Sequence, residues 1–295
     1  MASPSSFLGV LNFRIRAGDN ANASGHDSGS RVCTLMEYMG KNGVNVSDEL
    51  TLLFSHLEYA CKRISALVAS PLNYSIGKSF SVSGGSAERD KAKPLDIVAN
   101  DIVLSPLKTS GKVAVMASEE DDAPVSLADD GPFVVIIFHK AILNSLQSGN
   151  KLVASAYALF SPATILCTSF GSGTHAFTLG HSTGDFVPTH PNIKIPPRGQ
   201  IYSVNDAQYF DWPEGLRRFI DTIRQGKGLH PKKYSARCIC SLVADFHRTL
   251  LYGGIAMNPR DHLHLVYEAN PLSFLAEQAG GRGSPKTSSV FGESR

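Results

Sequence analysis

Tyr-Ser-Ala-Arg-Cys-Ile-Cys-Ser-Leu-Val-Ala-Asp-Phe-His-Arg-Thr-Leu-Leu-Tyr-Gly-Gly, residues 234–254, continues through Asn258-Pro259-Arg260-Asp261 and Tyr267-Glu268-Ala269-Asn270-Pro271 to Glu277-Gln278-Ala279-Gly280-Gly281. Nowhere else in the chain are punctuation, charge and apolar period so dense. Ser241 is placed to cap a helix whose Leu242, Val243, Phe246 and Leu250 share one face, and Gly253 supplies the left-handed residue that ends it. His262–Tyr267 alternates polar and apolar side chains, as a half-buried strand does, and delivers Glu268 at its end. A second helix, 271–279, is closed by Gly280 and Gly281. A carboxylate at such a strand tip can hold a cation, or serve as an ion-pair or capping residue.

Composition bounds the rest. The chain has 295 residues, 42% of them hydrophobic, enough for one large or two modest globular domains. A net charge of +2, from 28 basic and 26 acidic residues, gives no field that favours nucleic acid or an anionic membrane. No apolar run approaches the roughly 18 residues of a spanning helix, so a soluble chain is expected. Five cysteines without metal-ligand spacing read as reduced thiols, and Cys238-Ile239-Cys240 has the wrong spacing for a C-x-x-C redox pair. Residues 1–31, rich in Ser, Ala, Gly and Asn, read as a disordered leader, either a transit-peptide remnant or a plain terminus.

Inward from that leader the expected class is α/β. Ser47 opens a helix to about Ala69 with Leu50, Leu53, Phe54, Leu57, Cys61, Ile64 and Leu67 on its inner face. Residues 75–90 read as a mobile loop, and 94–104 as a second helix. Val113–Ala117 and Phe133–Phe138 read as buried strands, 151–170 as two strands around Ser161-Pro162, and 174–189 as a hairpin. Trp212–Arg224 is an amphipathic helix. Gly171-Ser172-Gly173 fits a dinucleotide fingerprint only loosely, and a strand follows it rather than a helix, which excludes that reading.

Acid accumulates abruptly at Glu119-Glu120, after a strand, with Asp90 and Asp96 upstream and Glu268 far downstream. Hard divalent cations take oxygen ligands, and phosphoryl transfer uses them to neutralise phosphate charge and activate water. The competing reading is a solvated acidic loop, since Asp121, Asp122, Asp129 and Asp130 extend the run.

Tyr-Ser-Ala-Arg, Val-Ala-Asp-Phe-His-Arg-Thr-Leu-Leu-Tyr-Gly-Gly and Tyr-Glu-Ala-Asn-Pro-Leu-Ser-Phe-Leu-Ala-Glu-Gln-Ala-Gly-Gly resemble the C-terminal half of the fructose-1,6-bisphosphatase family. The similarity extends over Thr34–Phe138 and Leu143–Gly283 and is greatest to a plant chloroplast form without the cysteine-bearing regulatory loop. The resemblance implies a layered α/β/α/β/α fold, incomplete here, with an N-terminal half over 32–142, a C-terminal half over 143–283 and a polar tail over 284–295. It implies magnesium-dependent hydrolysis of fructose 1,6-bisphosphate to fructose 6-phosphate in the chloroplast, with the cytoplasm as alternative, by a tetrameric homo-oligomer. Metal binding would fall to Glu119, Glu120 and Glu268, and catalysis to Asp90, Asp96 and Glu120. Asn205 and Arg237 would contact the 6-phosphate, Arg237 from a neighbouring subunit. Asn258 and His262 replace a tyrosine and a lysine of that pocket, and Cys238 another tyrosine, which should weaken it. The first long helix would border an AMP site, where Pro132 and Phe133 depart from the family's basic residue and tyrosine.

The same resemblance exposes a gap. The family's strand matching Phe133–Phe138 runs into Asp-Pro-Leu-Asp-Gly-Ser, a turn that binds metal and the 1-phosphate; here it runs into His139-Lys140-Ala141-Ile142. Impaired catalysis is therefore expected, because ligand count and charge set metal affinity. The alternatives are a related sugar bisphosphate phosphatase and a non-catalytic subunit that oligomerises with complete homologues.

Overall fold

A computed structural model describes residues 8–15, 33–41, 46–70, 94–118, 123–137, 152–228, 231–259, 268–283 and 289–291. Its largest feature is an eight-stranded sheet built from β1 (Leu8–Ile15), β2 (Val113–Ser118), β3 (Val125–Ser126), β4 (Phe133–Ile137), β5 (Ala154–Leu159), β6 (Ile165–Ser169), β7 (Thr174–Leu179) and β8 (Phe186–Ile193). The strand order is β3-β2-β4-β1-β5-β6-β7-β8. β2 and β4 are parallel, and β1 runs antiparallel to both β4 and β5. Residues 8–15, expected within a disordered leader, are thus a strand inside the sheet.

Helices α1 (Leu35–Lys41), α2 (Asp48–Ala69) and α3 (Pro94–Ser110) cover one face. α2 begins where its sequence says it should. The Ser47 hydroxyl accepts from the Leu50 N–H at 3.3 Å, and Asp48 and Glu49 sit at the positive end of the helix dipole. The seven apolar residues expected on its inner face are all buried, from Leu50 to Leu67. Each such side chain contributes on the order of 2 kcal/mol of transfer free energy. Lys62 then bonds Glu58 at 2.7 Å and Asp185 at 3.4 Å, tying the helix to the turn between β7 and β8. α3 runs past the expected end at Leu104 and through Pro106, because Leu107, 1% exposed, anchors its final turn in the core.

A second, four-stranded sheet has the order β10 (Ser235–Ala236), β9 (Ile201–Ser203), β11 (Ile255–Asn258), β12 (Ser289–Phe291). β12 falls in the expected polar tail and pairs antiparallel with β11. Between the sheets lie α5 (Leu242–Tyr252) and α6 (Asn270–Gln278), whose Val243, Phe246, Leu272 and Leu275 pack with Tyr157 of β5 and Ala256 of β11. Outside the second sheet, Ile220 and Ile223 of α4 (Glu214–Gln225) pack on Ile255 and Met257. Alternate residues of β11 thus face opposite layers, and the stack reads α/β/α/β/α. Gly253 and Gly254, at φ 70° and 106°, make the sharp turn from α5 into β11. Among the described residues no helix is long and apolar enough to cross a membrane.

Candidate active site

The second sheet brings the sugar-phosphate candidates together. β10, β9 and β11 are mutually parallel, with Ala236 level with Tyr202, and Ala256 level with Ser203. Continuing that register sets Arg237, Asn205 and Asn258 at the C-terminal ends of three adjacent strands, where α/β sheets hold ligands. Asn205, Cys238, Asp245 and Asn258 line one pocket there. Asn205 caps a 3-10 turn over Asp206–Asp211, its side-chain oxygen accepting from the Ala207 N–H at 3.2 Å. With the oxygen so committed, the amide NH2 is the end offered to a ligand. Arg224 braces this segment from behind, bonding Asp206 at 2.6 Å and the Tyr202 hydroxyl at 2.6 Å, and lies 5.4 Å over the Tyr202 ring.

Arg237 is exposed at the pocket rim, with a guanidinium N–H on the Ala236 carbonyl at 2.8 Å. Beneath it the loop 237–240 is clamped by two residues to which sequence reading gave no role. Asp245 accepts from the Ile239 N–H and from Arg248, and Arg248 also donates to the Arg237 carbonyl. The available signal was an acid and a base three apart on an otherwise apolar helix. Burial, with the Asp245 carboxylate beside it, holds the Cys238 thiol above its ordinary value. Ser241 does not make the expected capping bond; its hydroxyl is buried with no hydrogen-bond partner.

Of the carboxylates, Asp96 lies half-buried in the first turn of α3. One turn later on the same face, buried Asn100 accepts from the Ser118 hydroxyl at 2.6 Å, fixing the end of β2 that leads into Glu119. Asp96 thus shares a helix face with the residue that abuts the C-terminal end of β2. Glu268 stands in a π turn just before α6, and α6 is pinned to β5 by Ser155 donating to the Pro271 carbonyl at 3.1 Å. β2 and β5 are three strand spacings apart, roughly 14 Å at about 4.8 Å each. Among the described residues no group of three or more His, Cys, Asp or Glu is gathered to hold a metal. Asp90, Glu119, Glu120 and His262, with the expected strand 262–267 and loop 75–90, lie outside the described residues.

Comparison with known proteins names this arrangement. The family profile described as fructose-1-6-bisphosphatase, C-terminal domain, matches residues 195–294, the span that holds the second sheet and its pocket. Chloroplastic fructose-1,6-bisphosphatase of Brassica napus is 36% identical, aligned over 87% of this chain and 74% of its own length. Fructose-1,6-bisphosphatase 1, chloroplastic, of Arabidopsis thaliana is 34% identical over 93% of this chain and 78% of its own. The holo form of Leishmania major fructose-1,6-bisphosphatase superposes with a TM-score of 0.76 at 28% identity, covering 90% of this chain and 96% of that one. Sequence likeness across most of both chains and a shared layered fold have one meaning: the chain belongs to the fructose-1,6-bisphosphatase family.

Proposed function

We propose that the chain binds fructose 1,6-bisphosphate and is built to hydrolyse it to fructose 6-phosphate and phosphate, with a turnover of its own that is severely impaired. One observation carries the binding half: Asn205 and Asn258 stand at the ends of adjacent parallel strands and line one pocket. Two amides suit the 6-phosphate end of a sugar phosphate, and Arg237 reaching in from a neighbouring subunit would grip two phosphate oxygens. The 1-phosphate end rests on Asp96, Glu120 and Asp90 as catalytic carboxylates, and on Glu119, Glu120 and Glu268 as the oxygen donors suited to Mg2+. Magnesium at that site would supply charge neutralisation of the departing phosphate. Impairment follows from the sequence after β4, where Phe138-His139-Lys140 provides none of the turn carboxylates that the family uses. The chloroplast named for the Brassica and Arabidopsis relatives is carried into this reading, with the cytoplasm as the alternative compartment.

The test is magnesium-dependent phosphate release from fructose 1,6-bisphosphate by the folded chain, beside a Glu119→Gln, Glu268→Gln double variant. Release no faster than the variant's supports impairment. Turnover that the variant loses would show that the remaining carboxylates suffice.

A second reading, a non-catalytic subunit that assembles with complete homologues, is favoured by Arg237. Its guanidinium is exposed at the rim rather than folded into its own pocket, as a residue serving a neighbour's site should be. Native mass spectrometry of the chain mixed with a complete relative tests it; strictly separate species would sink it.

A further inference from the structure

Among the described residues, β1 alone makes the eight-stranded sheet continuous. That strand pairs at five positions with β4, from Leu11–Ile137 to Ile15–Phe133, and at six with β5, from Leu8–Leu159 to Phe13–Ala154. β4 and β5 are not paired with each other in the strand order. Without β1 the sheet would end twice in its own middle, and β5 would become an edge. It is a poor edge: Ala154 and Ala156 are buried in one core, while Ser155 and Tyr157, both 0% exposed, are buried on the other face. An unpaired backbone row in such a place has neither a protein partner nor ready access to water, which is costly for every lone group in it.

The segment's sequence fits the slot. Leu11-Asn12-Phe13-Arg14-Ile15 alternates apolar and polar residues, and the register sets its apolar positions level with Ala156, Ala154 and Phe133, all of the first core. β1 reaches the rest of the chain only through residues 16–34, so it is joined to the slot by pairing rather than by sequence neighbourhood. β1 also sets the three-strand spacing between the β2 end near Asp96 and the β5 anchor of α6.

We propose that the gap between β4 and β5 is a strand-acceptor site whose occupant is the chain's own residues 8–15, held by backbone pairing strongly enough to remain when the covalent link through 16–34 is cut. The recognised chemistry is an extended peptide of alternating apolar residues. Two consequences follow. Residues 8–15 belong to the mature protein, so removal of 1–31 as a leader would open the slot. The exposed edges would then be templates for aggregation.

The experiment uses the full chain. Amide hydrogen exchange should show residues 10–14 exchanging at least about a hundredfold more slowly than a free peptide, as paired strands do. Next, a site-specific protease sequence is inserted within residues 20–30 and cut under native conditions. The N-terminal fragment should stay with the body in gel filtration, and in an Asn12→Pro variant, which removes a ladder donor, it should dissociate on cutting. Free-peptide exchange rates at 10–14 in the uncut chain would overturn the proposal. So would release of the fragment from the unsubstituted chain on cutting. The exchange measurement on the unsubstituted chain decides the matter even if the proline variant fails to fold.

Discussion

Asp245 and Arg248 close on each other across one turn of α5, Oδ1 to Nη2 at 2.8 Å, with side chains 7% and 21% exposed. The pair does not merely staple its own helix. The same carboxylate takes the Ile239 N–H, and the same guanidinium takes the Arg237 carbonyl, so the loop carrying the rim arginine is fixed to α5 from below.

Removing the acid leaves the largely covered Arg248 guanidinium without its charge partner. Asp245→Ala should therefore lower the unfolding free energy by about 3 kcal/mol, the usual loss when a buried pair is broken from one side. Asp245→Asn should cost less, because an amide oxygen still accepts from Ile239. Urea unfolding of the two variants checks this; an unchanged midpoint in Asp245→Ala would mean that the loop is held elsewhere.

Tyr157 and His247 give a pH dependence of definite sign. The tyrosine hydroxyl is hydrogen-bonded to His247 Nδ1 at 2.7 Å, in a buried pair. Burial, aided by repulsion from His190, pushes the imidazole pKa down to about 4. An unfolded histidine titrates near 6.5. As pH falls the unfolded chain takes the proton first, so stability present above about 6.5 is lost progressively down to pH 4, by about 3 kcal/mol in all. His247→Asn, which removes the titrating ring and keeps an amide that can either donate to or accept from the Tyr157 hydroxyl, should flatten this part of the stability curve. Parallel curves for the two proteins would exclude His247 as the cause.

The sequence disclosed elements whose signal is local. Ser47 and the apolar spacing of 50–67 specify α2, and unbroken apolar runs specify β2 and β4. β1 carries a strand alternation of its own, but its partners are more than a hundred residues away, and the polar Ser/Ala/Gly surroundings suggested a leader. Arg237, Asn205 and Asn258 were reachable only through family resemblance, because what unites them is the parallel register of strands two to four residues long. Such short strands carry almost no periodicity.

Thiol chemistry should divide the cysteines by environment. Burial pushes Cys61 and Cys167 up to about 12, so both remain thiols at pH 8. Cys240 is exposed, and Cys238 is half-buried beside Asp245. Alkylation followed by peptide mass spectrometry should label Cys240 before Cys238, and reach Cys61 and Cys167 only in denaturant. Prompt labelling of Cys167 in the native protein would contradict the packing of β6.

Two glycine-to-alanine changes should move stability in opposite directions. A Cβ on Gly199 would lie 2.0 Å from the Gly254 nitrogen and 2.1 Å from the Gly253 carbonyl carbon, so the clash is with backbone that no rotamer can relieve. That contact seats the segment leading into β9 against the turn leading into β11, and so sets Asn205 beside Asn258. Gly199→Ala should cost about 1–3 kcal/mol, the range for overpacking, and lower the melting temperature by several degrees. Gly215, in the first turn of α4, has nothing within 4 Å of where its Cβ would stand. There the same change removes only conformational freedom from the unfolded chain and should raise stability by about 0.5 kcal/mol. Calorimetric melting of both variants separates a steric from a purely entropic origin: a Gly199→Ala protein that melts with the wild type would mean that the two turns are not held in contact, and the alignment of the pocket's strands would need another source.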